Sequence, residues 1–183
     1  LEMTGDMVQD YQTLMASPFG QQKDALVAKI STLLNDAYAR KDAILGCDSE
    51  PGKAACQVEI RFLHQVIREF DPAMVFAQFI LGWDAVSDHD ALVGFNLVAP
   101  EHGLRALADY DQHMAMIDYL YQQTPHNVAL HAGELTLGLV RPQELRDHIT
   151  NAVKVGHAKR IGHGIDIAYE RDSAEMLAHM AQA

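Results

Sequence analysis

Two histidines and a glutamate stand where short apolar runs end. Val128-Ala129-Leu130 leads into His131-Ala132-Gly133-Glu134, and Arg160-Ile161 leads into Gly162-His163-Gly164. A neutral imidazole is a good metal ligand, and a strand end fixes its direction. Gly133 has no side chain, so a substrate or metal could approach its backbone closely. Glu134 lies three residues past His131 and could point into the same mouth. A partly desolvated carboxyl there keeps its proton and can act as an acid. Gly162 and Gly164 leave space around His163, which suits a base facing a bound water whose pKa a metal lowers. A lone His at a strand end is ordinarily a polar residue at the start of a loop. Two such motifs on successive strands, 32 residues apart between the histidines, point instead to a metal-assisted hydrolytic site.

The elements that must position these residues follow a steady rhythm. Strands are predicted at Val58–Leu63, Leu92–Val98, Val128–His131 and Arg160–Ile165, with starts 34, 36 and 32 residues apart. Asp71-Pro72 opens a helix carrying Met74, Val75, Phe76, Phe79 and Ile80. Leu104, Leu107, Met114, Ile117 and Tyr121 recur at helical spacing in one segment. Pro142 starts another helix, with Leu145, Ile149, Ala152 and Val153 on one face, and Asp172 with Glu175 reads as a capping box before Met176. Strand, helix, strand at this interval is the rhythm of βα units around a parallel sheet. No Gly-x-Gly-x-x-Gly follows a strand, and His-bearing strand ends favour a barrel, whose site lies at the C-terminal ends of its strands.

Residues 1–56 read as an N-terminal helical elaboration and 57–183 as a partial barrel domain. Met7 to Gly20 reads as irregular, with a turn at Ser17-Pro18-Phe19-Gly20, followed by an amphipathic helix through Leu26, Ile30, Leu33, Leu34, Ala37 and Tyr38. Cys47 and Cys56 flank a turn-rich stretch. They either close a small disulfide loop, which implies an oxidising compartment, or remain free thiols. A net charge of -11 argues against nucleic-acid binding, and no apolar run is long enough to span a membrane. The start, Leu1-Glu2-Met3-Thr4, shows no signal-peptide pattern. His113 and His148 read as surface or packing residues, His126 as a solvated loop residue, His157 as a cation ending the Pro142 helix, and Trp83 as core.

His131-Ala132-Gly133-Glu134 with Arg160-Ile161-Gly162-His163-Gly164 resembles the adenosine deaminase family of metal-dependent amidohydrolase barrels. Gly94-Phe95-Asn96-Leu97-Val98 with Glu101 is similar to that family's fourth strand and its acidic end, and Val58–Leu63 to its third. The resemblance runs from about Cys56 to Ile167. The long N-terminal region and the cysteine pair look more like the secreted branch, the adenosine deaminase growth factors and their bacterial relatives, which favours a secreted or periplasmic location over the cytoplasm.

The resemblance implies a role for each matching position. His131 would bind Zn2+, Glu134 would protonate a purine ring nitrogen, and His163 would position the zinc-bound hydroxide. The family's glycine that offers its N–H to the purine falls at Ala99, which is followed by Pro100. The implied reaction is hydrolytic deamination of adenosine or deoxyadenosine. The alternatives are deamination of AMP, a methylated adenine nucleotide or adenine, and a noncatalytic growth-factor-like module. The family's His-x-His pair and its late Asp ligand have no counterpart, and Asp88-His89-Asp90 and Asp109-Tyr110-Asp111 are poor substitutes. One protein ligand is too few for a catalytic zinc. The expectation is therefore a fragment of a (β/α)8 TIM barrel, about strands three to six, inactive alone and either homo-oligomeric or completed by the missing barrel segments.

Overall fold

The computed structural model describes residues 2–182. It is a mixed α/β fold with a four-stranded parallel sheet in the order β1-β2-β3-β4: β1 Phe62–Ile67, β2 Leu92–Val98, β3 Val128–Ala132 and β4 Ala158–His163. Helices separate the strands: α3 Pro72–Asp88, then α4 Leu104–Ala108 with α5 Tyr110–Gln123, then α6 His148–Lys154. Before the sheet come α1 Met7–Ala16 and α2 Pro18–Leu45, and after it α7 Ser173–Met180.

The register sorts the two faces of the sheet. Val66, Leu97, Leu130 and Ile161 form one row across the four strands. The first three of these are fully buried in a core shared with Phe76, Phe79, Ile80, Met114, Ile117 and Ile149. Successive strand residues point to opposite faces, so the neighbouring row Gln65, Asn96, Ala129 and Arg160 faces the other way. That second face is open. Leu63 and Ile67 are about two-fifths exposed on it. The helices thus cover one face only, with α3 packed on β1, β2 and α5, and α6 on β3, β4 and α5.

Several expected boundaries move, for identifiable reasons. The first strand starts at Phe62, not Val58, because pairing with β2 begins at Phe62↔Leu92 and runs on to Ile67↔Val98 through the polar His64 and Gln65. The last strand begins at Ala158 and ends at His163, where the backbone turns left-handed. Met7–Ala16 is helical rather than irregular. The Asp6 carboxylate accepts from Val8 N and Gln9 N at 3.0 and 3.1 Å, capping the first turn. Ser17-Pro18 is the joint between two helices: Ser17 caps α2 through Phe19 N, and Pro18 takes its first turn. The segment from Leu104 to Tyr121 divides at Asp109 into α4 and α5. The Pro142 segment divides into a 3₁₀ turn, Pro142–Leu145, and α6. Asp172 makes no side-chain cap bond.

Helices α1 and α2 lie outside the sheet's helical layer, where α1 packs on α5 and α2 on α3. Leu14 enters the main core, with Tyr11 beside Phe76 and Tyr119. Gly46, at φ +70°, ends α2, and the Cys47–Cys56 disulfide closes the loop that follows. Of the two readings of this cysteine pair, the bonded one is found. No helix among the described residues is long and apolar enough to cross a membrane.

Phe95 packs against Trp83 with ring centroids 4.2 Å apart and planes tilted by 33°, and meets Phe79 edge-on, with no solvent exposure. Phe95→Ala is expected to cost about 3–5 kcal/mol, read as a lower urea midpoint. Among the described residues, strands β1 and β4 each leave one edge without a strand partner, and open edges template association. The chain by itself is therefore expected to elute as oligomers or aggregate in size-exclusion chromatography with light scattering. A sharp monomer peak would contradict this.

Candidate active site at the C-terminal strand ends

Three of the residues expected to do chemistry converge. His163 Nε2 lies 3.4 Å from Glu134 Oε2, and the His131 and His163 rings are 5.3 Å apart between centroids. His131 reaches this point by simple alternation. It lies two residues beyond Ala129, on the open face, and lines a depression of about 220 Å³ with Leu63, Asn96, Arg160 and Gly162. His163 does not. It pairs with Ala132 in register and lies two residues beyond Ile161, so straight strand geometry would aim it at the helices. A left-handed backbone at φ +78° breaks the alternation there. Such a conformation costs a non-glycine residue about 1–3 kcal/mol and is concentrated at functional sites.

Ala99 is the second strained residue at this rim, with φ +85° just past β2. That region favours glycine. Its chain continues to Glu101, whose N–H donates to Glu134 Oε1 at 3.0 Å. Ala99 therefore belongs to the same rim as Glu134.

Asn96 tunes His131. Its side-chain oxygen meets His131 Nδ1 at 2.9 Å. Facing an amide oxygen, Nδ1 carries the hydrogen, which leaves the lone pair on Nε2, the tautomer a metal ligand needs. The chemistry of this one donor fits a metal. However, no group of three His, Cys, Asp or Glu side chains among the described residues is arranged to hold one. These residues alone do not make a zinc site.

Gly133 differs from expectation. It is buried at φ +83°, and a Cβ there would lie 2.6 Å from Asp166 Oδ1 and 2.8 Å from Gly164 Cα. The space opened by the absent side chain is taken by the loop after β4, not left free for a substrate. That loop is tied back through Gly164 N–H to Ala132 O and Ile165 N–H to Gly133 O, both at 2.9 Å.

Four further residues shape the rim. Arg68, fully buried after β1, donates from one nitrogen to Leu97 O at 2.8 Å and to His131 O at 2.9 Å. Burial pulls its pKa down, against the pull of Glu101. Glu101 is also fully buried. Burial pushes its carboxyl up, but His148 and the N–H groups of Glu134 and Gly133 outweigh it and hold it below the ordinary value. His148, expected at the surface or in packing, is buried and meets Glu101 Oε1 through Nδ1 at 2.7 Å. Asp166 is 2 % exposed with neither carboxyl oxygen partnered, and burial, reinforced by Glu101 and Glu170, pushes it up to about 6.

An Arg past an apolar strand was a signal for Arg68, but it was hidden by the misplaced end of β1. For His148 and Asp166 no local pattern existed. Three further histidines lie outside the His131, Glu134 and His163 group. His113 is buried and pushed down to about 4 by burial and then by Arg68. His126 is half-buried beside Trp83 rather than solvated. His157 lies beyond the end of α6 and pairs with Asp118 at 2.7 Å instead of capping the helix.

No family model, no curated protein and no solved structure matches this chain.

The folded value of Asp166 lies above its ordinary 3.8, so the folded chain holds this proton more tightly than the unfolded one. Its stabilising share is present in acid and is lost as pH rises through about 6. Asp166→Asn is therefore expected to stabilise the chain at pH 8 by roughly 1–3 kcal/mol and to change little near pH 4. Urea titrations at the two pH values check this, and an equal effect at both would refute it.

Proposed function

We propose that this chain is a sector of a (β/α)8 barrel carrying the proton-transfer half of an adenosine or deoxyadenosine deaminase site. The observation that carries the reading is the convergence of His131, Glu134 and His163 from two adjacent strand ends, with one histidine in a strained backbone to get there. The strand order supports the barrel, because it runs β1 to β4 without reversal. A doubly wound sheet reverses its order and is covered on both faces. Here the packed helices lie on one face only, as they do around a barrel wall.

The chain's own groups suit addition of water to an amino-bearing ring carbon. Glu134 is half-exposed at the mouth and close enough to His163 to share its charge. In its protonated form it donates to the ring nitrogen beside the carbon under attack, so the ring accepts electron density as the new C–O bond forms. His163, beside that acid and partly exposed, takes one proton from the attacking water and passes it to the departing amino group, and the water's second proton returns to Glu134 as the carbonyl forms and ammonia leaves. Ala99 offers a rim position beside Glu134 for holding the purine. The family pattern calls for Zn2+, and His131, its Nε2 lone pair left free by the Asn96 contact, is the residue at this strand end that would bind it. The remaining ligands must come from other chain segments, and no step above depends on them.

Adenosine-to-inosine conversion by the complete protein, with Glu134→Ala as control, tests the reading. Turnover is expected to fall roughly 10²- to 10⁴-fold in the variant with folding retained. Undiminished turnover in Glu134→Ala would remove Glu134 from the mechanism. No turnover of adenosine by the unsubstituted protein would shift the assignment to another aminopurine or to a noncatalytic module.

A further inference from the structure

We propose that Glu101 is a positioning residue for Glu134, held in place by His148 and Tyr110. Its role in proton donation rests on the deaminase reading above; the contact itself does not. The two glutamates grip each other's backbone. Glu101 Oε2 accepts from Glu134 N at 2.8 Å, while Glu134 Oε1 accepts from Glu101 N at 3.0 Å. Glu101 Oε1 also accepts from Gly133 N at 3.0 Å. One buried carboxylate therefore fixes two successive amides after β3 and, through its own N–H, the rotamer of the side chain they carry.

The consequence is chemical. An N–H aimed at Glu134 Oε1 disfavours a proton on that oxygen. A protonated Glu134 then carries its hydrogen on Oε2, the oxygen that faces His163 Nε2 at 3.4 Å. The clasp thus selects which oxygen works.

His148 completes the device. A carboxylate only accepts, so His148 Nδ1 carries the hydrogen it shares with Glu101 Oε1 at 2.7 Å. The imidazole is itself pinned. Its ring stacks on Tyr110 at 3.9 Å with planes 5° apart, and Tyr110 O–H donates to His148 O at 2.6 Å. Each of these groups is at least nine-tenths buried. A satisfied buried carboxylate needs its full set of donors, so loss of one loosens the others.

Amide hydrogen exchange at single-residue resolution on the whole chain tests this, with the unsubstituted chain, Glu101→Gln, His148→Phe and His148→Asn. His148→Phe is expected to speed exchange at Gly133 and Glu134 about tenfold and leave the amides of Val128 to Leu130 unchanged. In His148→Asn a side-chain N–H takes the place of Nδ1–H, and exchange should return to within about threefold of the unsubstituted chain. Glu101→Gln should behave as His148→Phe; if it does not fold, the His148 pair still decides. In the complete protein, His148→Phe should lower kcat by about 10- to 100-fold with KM within about twofold, the pattern of a misplaced acid rather than lost binding. Unchanged exchange at Gly133 and Glu134 in His148→Phe, or equal loss in the Phe and Asn variants, would overturn the proposal. Exchange as expected, in a protein that turns over no aminopurine, would sustain the clasp and sink the deaminase reading.

Discussion

Two fully buried charges, Arg68 and Glu101, hold the C-terminal rim of the sheet together. Burying an ion costs several kcal/mol unless hydrogen bonds replace its water. Each of these therefore draws backbone toward itself. Arg68 joins the ends of β2 and β3 through the carbonyls of Leu97 and His131. Glu101 joins the loop after β2 to the loop after β3 and to the first turn of α6. The opposite charges also support one another, since Glu101 resists the fall that burial imposes on Arg68. His131, Gly133 and Glu134 each have a backbone carbonyl or amide that one of these two side chains fixes.

The rest of the fold makes such burial tolerable. The Val66, Leu97 and Leu130 row and the aromatic cluster of Phe79, Trp83 and Phe95 exclude water beneath the rim. Helices on one face leave the other to carry Asn96, Arg160 and His131, polar groups that would be costly in a core. The sheet is therefore asymmetric: apolar packing on one side, polar side chains on the other. Buried polar atoms without partners remain within the rim: Arg68 Nε and Nη1, and both carboxyl oxygens of Asp166. The unpartnered carboxyl of Asp166 is a cost the loop after β4 bears while approaching Gly133 closely.

Much of this was legible in the residues. Asp71-Pro72 marked the start of α3, and the apolar run Leu92–Val98 gave β2 at its observed bounds. His131, Glu134 and His163 were visible because each stands at the end of an apolar run or just past it. What failed was local as well. Val58–Leu63 looked like a strand because Val58, Ile60 and Phe62 alternate with Glu59 and Arg61, but pairing with β2 decides where a parallel strand lies, and it extends across His64 and Gln65. Met7–Ala16 looked irregular because its hydrophobic pattern is loose, and Asp6 with the neighbouring core makes it a helix.

Residue types and spacing by themselves determined the alternation of strands and helices, and singled out Glu134 and the two histidines at the strand ends. That information is local: propensity, periodicity and caps act within a few residues. Tertiary structure alone decided that His163 turns out of its strand toward Glu134, and that Gly133 is filled from behind by Asp166. It also decided that His148, 47 residues from Glu101, is the group that holds it. Such contacts depend on which strand lies beside which and in what register. No single segment carries that information, because the energy that selects it comes from burying all of them together.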